Sequence, residues 1–344
     1  MINNIENMRK LHFFREKIKA SVFFLIISVI GTIIIFDNLR AQEYTLKLGT
    51  LAPAGSSWFD KISEFKNEVE TKTNGRIKIV IYSGGVAGDE IEMVRKMQSG
   101  KIQGAALIIK GMKEIAPELD FLDIPFMFKN YDEVRKIYNR MEKEIAEIFE
   151  KNGYILLGMS HHGFVKFFST KEISSFYDLA KMRTWAWYGE PTIKNFLEIL
   201  GVKPVYAEVV GLLSAIENGM VEVFQTSPLS CLTLQWCKLV KYCLDENYRY
   251  EPGLVVLKKD FFNSLPPDIR NAILESANKK VKELNLEIEK IQAEAENKLR
   301  AMGIKFVKPK KEEVEELKKK VREEMFKKVK NKELFQRFLK ELGS

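Results

Sequence analysis

The sequence predicts an α/β protein of two domains, with a long helix that reaches across both. Three observations lead to this prediction. Apolar strands alternate with amphipathic helices along the chain, which is typical of a parallel sheet covered by helices. The 344 residues are enough for two domains of ordinary size. A helical pattern covers residues 267–302, and a rod of that length, roughly 50 Å, spans two domains.

The composition fits a globular protein and excludes one class of function. Hydrophobic residues make up 46% of the chain and charged residues 30%, and the formal net charge is +8. Lysine alternates with glutamate near the C-terminus, which is typical of a solvated helix surface. The sequence has no arginine-rich run and no mixture of basic and aromatic residues, so nucleic-acid binding is not expected.

The N-terminus has the pattern of a secretory signal. Basic residues precede an apolar run at residues 22–36, and Ala41 offers a small residue for cleavage. As a helix this run measures about 22 Å, which is short of the roughly 30 Å of a bilayer core. We therefore predict a signal peptide over residues 1–41 and an exported, periplasmic mature protein. An uncleaved membrane anchor is the alternative.

The first part of the chain alternates regularly between strands and helices. Strands are predicted at residues 44–48, 77–81 and 105–109, because their apolar residues alternate or run together. Ser57 and Asp60 have the spacing of a capping box, so a helix is expected to begin at Ser57. Asp89 is expected to cap the next helix.

The rest of the chain continues with the same kinds of element. Helices are predicted at residues 131–150, 188–200, 209–218, from 228 onward, 267–302 and 311–342. Strands are predicted at residues 154–157, 164–168, 182–187, 220–224 and 254–257. Residues 160–163 interrupt the apolar pattern between two strands, and we expect the chain to cross between domains there.

Residues 181–228 contain the most informative candidate site. Arg183, Trp185 and Trp187 occupy alternate positions of a predicted strand, so they are expected to share one face. A guanidinium beside two indoles would suit an organic anion with an apolar body. The following strand ends in Gln225, Thr226 and Ser227, and polar groups at the ends of α/β strands are where ligands usually bind.

Short motifs spread along the chain resemble those of a known family. In chain order they are Leu46-Lys-Leu-Gly-Thr50, Gly88-Asp-Glu-Ile-Glu92, Gln98-Ser-Gly-Lys-Ile102, Leu122-Asp-Ile-Pro-Phe126, Asp178-Leu-Ala-Lys-Met-Arg183 and Glu217-Asn-Gly-Met-Val-Glu222. From about residue 44 to residue 307, the chain resembles the DctP-type substrate-binding proteins of tripartite ATP-independent periplasmic (TRAP) transporters. The resemblance implies a two-domain periplasmic-binding-protein-like fold with a central cleft. It also implies capture of a small organic acid or apolar-bodied carboxylate for delivery to membrane permease subunits, without catalysis and without a cofactor.

The resemblance also suggests domain bounds and ligand contacts. Domain I would comprise residues 44–160 plus 253–285, and domain II residues 161–252 plus 286–344. Arg183 would be the family's ligand arginine, paired with the ligand carboxylate. Ser227 stands where the family usually has asparagine, which is a departure. Ser57 and Trp58 follow the first strand, at a place that faces the cleft in this family.

Three further residues are candidates to line the cleft. Lys110 comes at the end of the third predicted strand and could supply a second cation. His161 and His162 lie at the expected crossing between domains, where a structural pair is the alternative reading. A metal site would require more ligands at matching spacing, so none is predicted.

The sequences Trp185-Ala-Trp187, Gln225-Thr-Ser-Pro228 and Leu234-Gln-Trp236 resemble a subgroup with more apolar clefts that works with a TPR-type periplasmic partner. Two other function classes stay open. The charged C-terminal helices and Ser227 would also suit an exported partner-binding scaffold that captures no small ligand. An exported hydrolase is the other, although the G-x-S-x-G and H-E-x-x-H motifs are absent. The three cysteines, Cys231, Cys237 and Cys243, share no face at helical spacing and are expected to be buried.

Overall fold

The computed structural model describes residues 43–343, together with the isolated residues Arg15 and Val22. The predicted signal peptide and its cleavage site lie outside the described residues. Within the part of the chain that is described, none of the helices combines the length and apolarity that a membrane crossing requires.

A seven-stranded mixed sheet runs through the protein. Its strands are β1 (Tyr44–Thr50), β2 (Ile77–Tyr82), β3 (Gly104–Leu107), β4 (Tyr154–Ser169), β7 (Val223–Thr226), β8 (Tyr242–Lys258) and β9 (Lys305–Val307). The order is β2-β1-β3-β8-β4-β7, with β9 beside β8. The strand β1 is parallel to β2 and β3, whereas β8 is antiparallel to both β3 and β4. The α/β class is confirmed. The parallel arrangement expected for the first three strands is found, whereas the two longest strands, β4 and β8, run antiparallel through the middle, and β9 is parallel to β8.

A second, two-stranded sheet stands apart from the first. It pairs β5 (Trp185–Trp187) with β6 (Val205–Ala207) in parallel. Strand β5 is shorter than predicted, because it begins only at Trp185 and a turn at Gly189, whose φ is 77°, ends it. The short strand places Trp185 and Trp187 on the same face.

Eleven α-helices are described in residues 43–343. They are α1 (Ser57–Lys72), α2 (Glu90–Gln98), α3 (Ile109–Ile115), α4 (Tyr131–Lys151), α5 (Pro191–Ile199), α6 (Val209–Glu217), α7 (Pro228–Thr233), α8 (Lys259–Ser264), α9 (Pro267–Ala301), α10 (Lys311–Met325) and α11 (Lys332–Leu342). The long helix is confirmed: α9 has 35 residues and packs against α1, β4 and α7.

The long pair β4–β8 contains both points where the chain was expected to cross between domains. Ser160 pairs with Gly253 and His161 with Pro252, and a bulge interrupts the register just after His161. The predicted break in β4 is wrong, because the strand continues through its histidines. They are tolerated there because they find polar neighbours: His161 Nδ1, for example, lies 2.6 Å from Tyr250 Oη.

Two local predictions in the first part of the chain are wrong. Ser56 rather than Ser57 caps α1, since its extended backbone lets its Oγ accept from the backbone N–H of Phe59. Lys110 does not end a strand, because β3 stops at Leu107 and α3 begins at Ile109. The prediction of buried cysteines is confirmed, although the three lie on different elements: α7, a 3₁₀ turn and β8.

Candidate functional site

A cavity of about 130 Å³ lies between the two sheets. One side, called here the first wall, is formed by residues 50–53, 90 and 106–108. The opposite side, the second wall, is formed by residues 185, 187, 190, 193 and 209. A single water molecule requires about 10–15 Å³ of such space. The cavity therefore holds a molecule of on the order of ten non-hydrogen atoms.

Tryptophan rings make much of the cavity surface apolar. Those that line it are Trp58, Trp185, Trp187 and Trp236. The Nε1 of Trp58 donates to the carbonyl of His161 at 3.1 Å, and that of Trp185 donates to the carbonyl of Ala207 at 2.9 Å. The Nε1 of Trp187 donates to Glu208 Oε2 at 2.8 Å. Because these N–H groups are bonded to protein, the three indoles offer ring faces to a ligand. Such faces suit an aliphatic or aromatic body.

Arg249 on β8 is the guanidinium at the cavity, and only 3% of it is exposed. Its Nη1 donates to Asp123 and Glu190 at 3.1 and 3.3 Å, and its Nη2 donates to Gln225 and Glu251 at 2.9 and 3.0 Å. Its Nε is buried and has no hydrogen-bond partner among the described residues. The protein therefore uses the four terminal N–H bonds and leaves the Nε–H without an acceptor among the described residues.

Lys113 completes a buried ion cluster around Arg249. Its Nζ lies 2.8 Å from Asp123 and 2.7 Å from Glu190. Burial raises the pKa of Glu190, but Lys113 and Arg249 outweigh it and bring that pKa down to about 2. Burial raises the pKa of Asp123 to about 6, which the same cations offset only in part. Burial also raises the pKa of Glu251, but Arg249 outweighs this effect and lowers that pKa. Two cations thus face three carboxylates.

Glu90, the first residue of α2, places its carboxyl group on the first wall. Its two carboxyl oxygens accept the backbone N–H groups of Ile108 and Gly111, each at 2.6 Å. Burial nevertheless raises its pKa to about 8, because the two bonds offset only part of the lost hydration. At neutral pH this group therefore adds no negative charge to the cavity.

A second ion cluster joins the two walls at the margin of the cavity. Lys110 Nζ lies 2.9 Å from Glu208, 3.5 Å from Asp89 and 4.7 Å from the ring centre of Trp187. The Nε1 of Trp187 also donates to Asp89 at 3.1 Å. Burial and the hydrogen bond with Glu208 raise the pKa of Asp89 to about 6. Asp89 and Lys110 adjoin the first wall, whereas Trp187 lies on the second wall and Glu208 adjoins it, so the cluster holds the walls together.

A row of polar side chains in contact with one another crosses the cavity surface at His162. Ser230 Oγ lies 2.8 Å from His162 Nε2, and His162 Nδ1 lies 2.7 Å from Glu251 Oε2. Ser227 Oγ lies 2.9 Å from Ser230 Oγ. The indole of Trp58 stacks on the imidazole with ring centres 5.7 Å apart.

This order of serine, imidazole and carboxylate is also that of serine hydrolases. Acyl transfer requires free donors for an oxyanion as well. Near Ser230 the backbone N–H groups are taken: that of Leu229 donates to Gln292 Oε1 at 3.2 Å, and that of Ser230 donates to Ser227 Oγ at 3.2 Å. The arrangement therefore favours a hydrogen-bonded relay over a catalytic serine.

Several residues singled out in the sequence line the cavity: Trp58, His162, Trp185, Trp187, Gln225 and Thr226. Arg183 does not line it. The side chain of Arg183 is 53% exposed, its Nη2 donates to Glu222 at 2.8 Å, and its Nε donates to the carbonyl of Gly219 at 2.7 Å. The expectation that Arg183 shares the tryptophan face is wrong, because β5 begins only at Trp185 and Glu222 draws the guanidinium away.

Four other predicted residues do not line the cavity. Ser57 opens α1, and Lys110 lies in the cluster at the cavity margin. His161 is buried against Tyr250, and burial lowers the pKa of its imidazole to about 4. Ser227 caps α7, where its Oγ accepts from the N–H of Ser230. Their direct contact with a ligand stays a prediction.

Sequence reasoning missed the charged part of the site and part of its apolar surface. The missed residues are Glu90, Glu190, Ser230, Trp236, Arg249 and Glu251. The alternation in Tyr248-Arg-Tyr-Glu251 could have revealed two of them, because a strand places Arg249 and Glu251 on one face. Glu190 directly precedes Pro191, the first residue of α5. The sequence therefore indicates only a helix N-cap at Glu190, a role that this residue also has.

A cavity with apolar walls and a few placed polar groups, set between two sheets, is typical of a small-molecule-binding site. The sequence model described as bacterial extracellular solute-binding protein, family 7 (DctP) matches residues 48–332. This match covers most of the chain, so the chain belongs to the DctP family of extracellular solute-binding proteins. The DctP-type resemblance is confirmed.

Individual relatives agree with the family. A solute-binding protein of Verminephrobacter eiseniae is 24% identical over 272 residues, which cover 78% of this chain and 80% of that protein. The fold is similar to that of a TRAP periplasmic solute-binding protein from Desulfovibrio salexigens with bound orotic acid, with a TM-score of 0.80 and 16% identity. The alignment covers 87% of this chain and 99% of that protein. A Bordetella pertussis extracytoplasmic solute receptor binding pyroglutamic acid gives a TM-score of 0.80 at 19% identity, with the same coverage. The two-domain periplasmic-binding-protein-like fold is therefore confirmed.

Proposed function

We propose that this protein is the extracytoplasmic solute-binding component of a TRAP-type secondary transporter. It captures a small organic acid with an apolar body, leaves it chemically unchanged and delivers it to membrane permease subunits. One observation carries the proposal: a cavity for on the order of ten non-hydrogen atoms has indole faces as its walls and a buried guanidinium with one uncommitted N–H beside it.

The relatives support the ligand class. Orotic acid and pyroglutamic acid, bound by two proteins of this fold, are both compact rings with one carboxyl group. A molecule of this type can place its ring against Trp185 or Trp58 and its acid group near Arg249. Hydrogen bonds to charged groups contribute about 1.5–3 kcal/mol, so the Nε–H of Arg249 adds both affinity and orientation.

Capture proceeds by closure of two domains, residues 44–160 plus 253–285 and residues 161–252 plus 286–344. A ligand that contacts both walls stabilises the closed form by its greater affinity for that form. Ser160 and Gly253 are paired in the β4–β8 register, and with these proposed bounds both long strands pass from one domain to the other at that pair. Closure therefore bends β4 and β8 side by side. The membrane subunits then recognise the closed protein, and a TPR-type partner stays a prediction.

Native mass spectrometry of the purified mature protein, followed by denaturation, tests this function. We expect a co-purified carboxylic acid of on the order of ten non-hydrogen atoms. The released acid should raise the melting temperature when it is added back, because a ligand that binds only the folded state stabilises it. A released molecule without an acid group would contradict the ligand class, and conversion of the acid by the protein would point to the hydrolase alternative.

A further inference from the structure

The charged clusters around the cavity contain no surplus of positive charge. In the inner cluster, Lys113 and Arg249 face three carboxylates, so one negative charge is in excess. In the marginal cluster, Lys110 alone faces Asp89 and Glu208. An anion placed beside such clusters in a poorly hydrated cavity is repelled more strongly than in water. Capture of an acid therefore requires a compensating positive charge.

The relay at His162 can supply that charge. A carboxylate oxygen of Glu251 lies 2.7 Å from Nδ1, so Nδ1 carries a hydrogen, since two lone pairs at that distance would repel. In the neutral ring Nε2 is then an acceptor, and the Ser230 hydroxyl donates to it at 2.8 Å. The one hydroxyl proton of Ser230 is thereby committed to the ring and is not available to a ligand.

A proton added at Nε2 reverses this hydrogen bond. The ring N–H then donates to Ser230 Oγ, and the Ser230 hydroxyl can turn its hydrogen toward the cavity. The imidazolium also balances the excess negative charge of the inner cluster, and it stacks on Trp58, whose ring face attracts cations. We infer that His162 takes up a proton when an acid binds, and that Ser230 thereby becomes a hydrogen-bond donor to that acid. This inference rests on the proposed function, because it concerns how the same cavity receives an anion.

Few charged groups face the ring of His162. The charges that face its ring are Glu251 and, behind it, Arg249, both on β8. The neighbours from α1, α7 and α9 are Trp58, Ser230 and Gln292, and all three are uncharged.

Other groups near the cavity are poorer proton acceptors or lie farther from the relay. His161 is held neutral by burial, with its pKa lowered to about 4. Glu90 is already protonated at neutral pH. Asp89 and Asp123, whose pKa values burial raises to about 6, are the competing acceptors. A variant of Asp89 therefore serves as a matched control.

Isothermal titration calorimetry with orotate or pyroglutamate, in buffers of different ionisation enthalpy, measures the protons taken up on binding. At pH 7.5 we expect wild-type protein to take up close to one proton per ligand, and Kd to rise by up to about tenfold for each further pH unit. The His162→Gln variant should bind with no uptake. The control Asp89→Asn, which keeps the helix cap, should retain the uptake. Ser230→Ala should weaken binding several-fold and leave the uptake unchanged.

Nitrogen NMR of ¹⁵N-histidine-labelled wild-type protein gives a second readout that does not depend on a variant's folding. The His162 ring should change from one protonated nitrogen to two when the acid is added. Binding without proton uptake, uptake that persists in His162→Gln, or a ring that stays neutral would overturn this role of His162 and leave the proposed function standing. If neither these acids nor the co-purified molecule binds as a carboxylate, the proposed function itself fails, and this inference fails with it.

Discussion

Lys110 Nζ lies 2.9 Å from Glu208 Oε2, and this ion pair joins the two walls of the cavity. Lys110 extends from α3 behind the first wall, and Glu208 precedes α6 on the second wall. Both contact Trp187, whose ring faces the cavity. A ligand packed on that ring is therefore next to the contacts that keep the walls together. This arrangement leads to the first prediction.

Replacing Glu208 with glutamine should loosen the closed form. The side chain of Glu208 is 43% exposed, so solvent screens the pair and its loss is worth about 0.5–1 kcal/mol. We expect an acid bound by wild-type protein to dissociate about two- to fivefold faster from the variant, with little change in the association rate. Stopped-flow tryptophan fluorescence measures both rates. Glu217→Gln, on the same helix but away from the cluster, is the control, and equal dissociation rates in both variants would contradict the role of Glu208.

Replacing Arg183 and Arg249 in turn should show which of these two arginines binds the acid. Arg183→Ala should change the affinity for the acid by less than about twofold, because its guanidinium is bonded to Glu222 and Gly219 outside the cavity. Arg249→Lys should lower the affinity at least about tenfold, since lysine offers no Nε–H fork at that position. Titration calorimetry measures both, and circular dichroism checks that the Arg249 variant is folded. A large loss in Arg183→Ala would restore the assignment made from sequence.

Truncation of Trp185 should reveal the apolar body of the ligand. Trp185→Ala removes a ring face, and loss of about 60–100 Å² of apolar contact is worth about 1.5–2.5 kcal/mol. We expect the affinity for the acid to fall by about tenfold or more, whereas Trp185→Phe retains most of it. Melting-shift titration compares the two variants. Equal affinity in the alanine variant would show that the indole only packs the interior.

The stability of the ligand-free protein should fall with rising pH because of Glu90. Its pKa is raised from 4.5 to about 8 in the folded protein, so the folded state holds a proton that the unfolded chain has lost. Stability from this group is fully present below pH 4.5 and is lost as pH rises toward 8. The slope is on the order of 1.4 kcal/mol per pH unit.

Urea unfolding of wild-type protein and Glu90→Gln at pH 6 and pH 7.5 measures this slope. Glutamine does not titrate, so the variant should be less pH-dependent than wild-type protein, even if its absolute stability is lower. The difference between the two proteins removes the contributions of Asp89 and Asp123. Parallel pH profiles would mean that Glu90 is ionised in the folded state.

The architecture could be predicted from sequence where a local pattern decides it. The amphipathic helix at 131–151 and the long helix at 267–301 follow the expected bounds closely, because their apolar residues repeat at helical spacing. The length of β4 and β8 could not be predicted, because His161 and His162 interrupt the apolar alternation. Those polar groups are stabilised by Tyr250, Glu251 and Ser230, which only the folded chain brings near.

The candidate site could be predicted only in its apolar part. Trp58, Trp185 and Trp187 could be found because they lie in short motifs near the ends of strands. The assignment of Arg183 depended on extending β5 by two residues, and a strand boundary is the least certain feature of a sequence pattern. Arg249 lies 66 positions further along the chain, and its partners Asp123, Glu190 and Gln225 come from three other segments. Such a buried cluster has no spacing that a single sequence can show.

A crystal structure of the protein with its co-purified acid would test the central claim most directly. We predict the ring or chain of the acid between the indoles of Trp58, Trp185 and Trp187, with its carboxyl group within hydrogen-bonding distance of Arg249 Nε. Arg183 should keep its bond to Glu222. A carboxyl group bound to Arg183, or a ligand outside the tryptophan-walled cavity, would contradict the account.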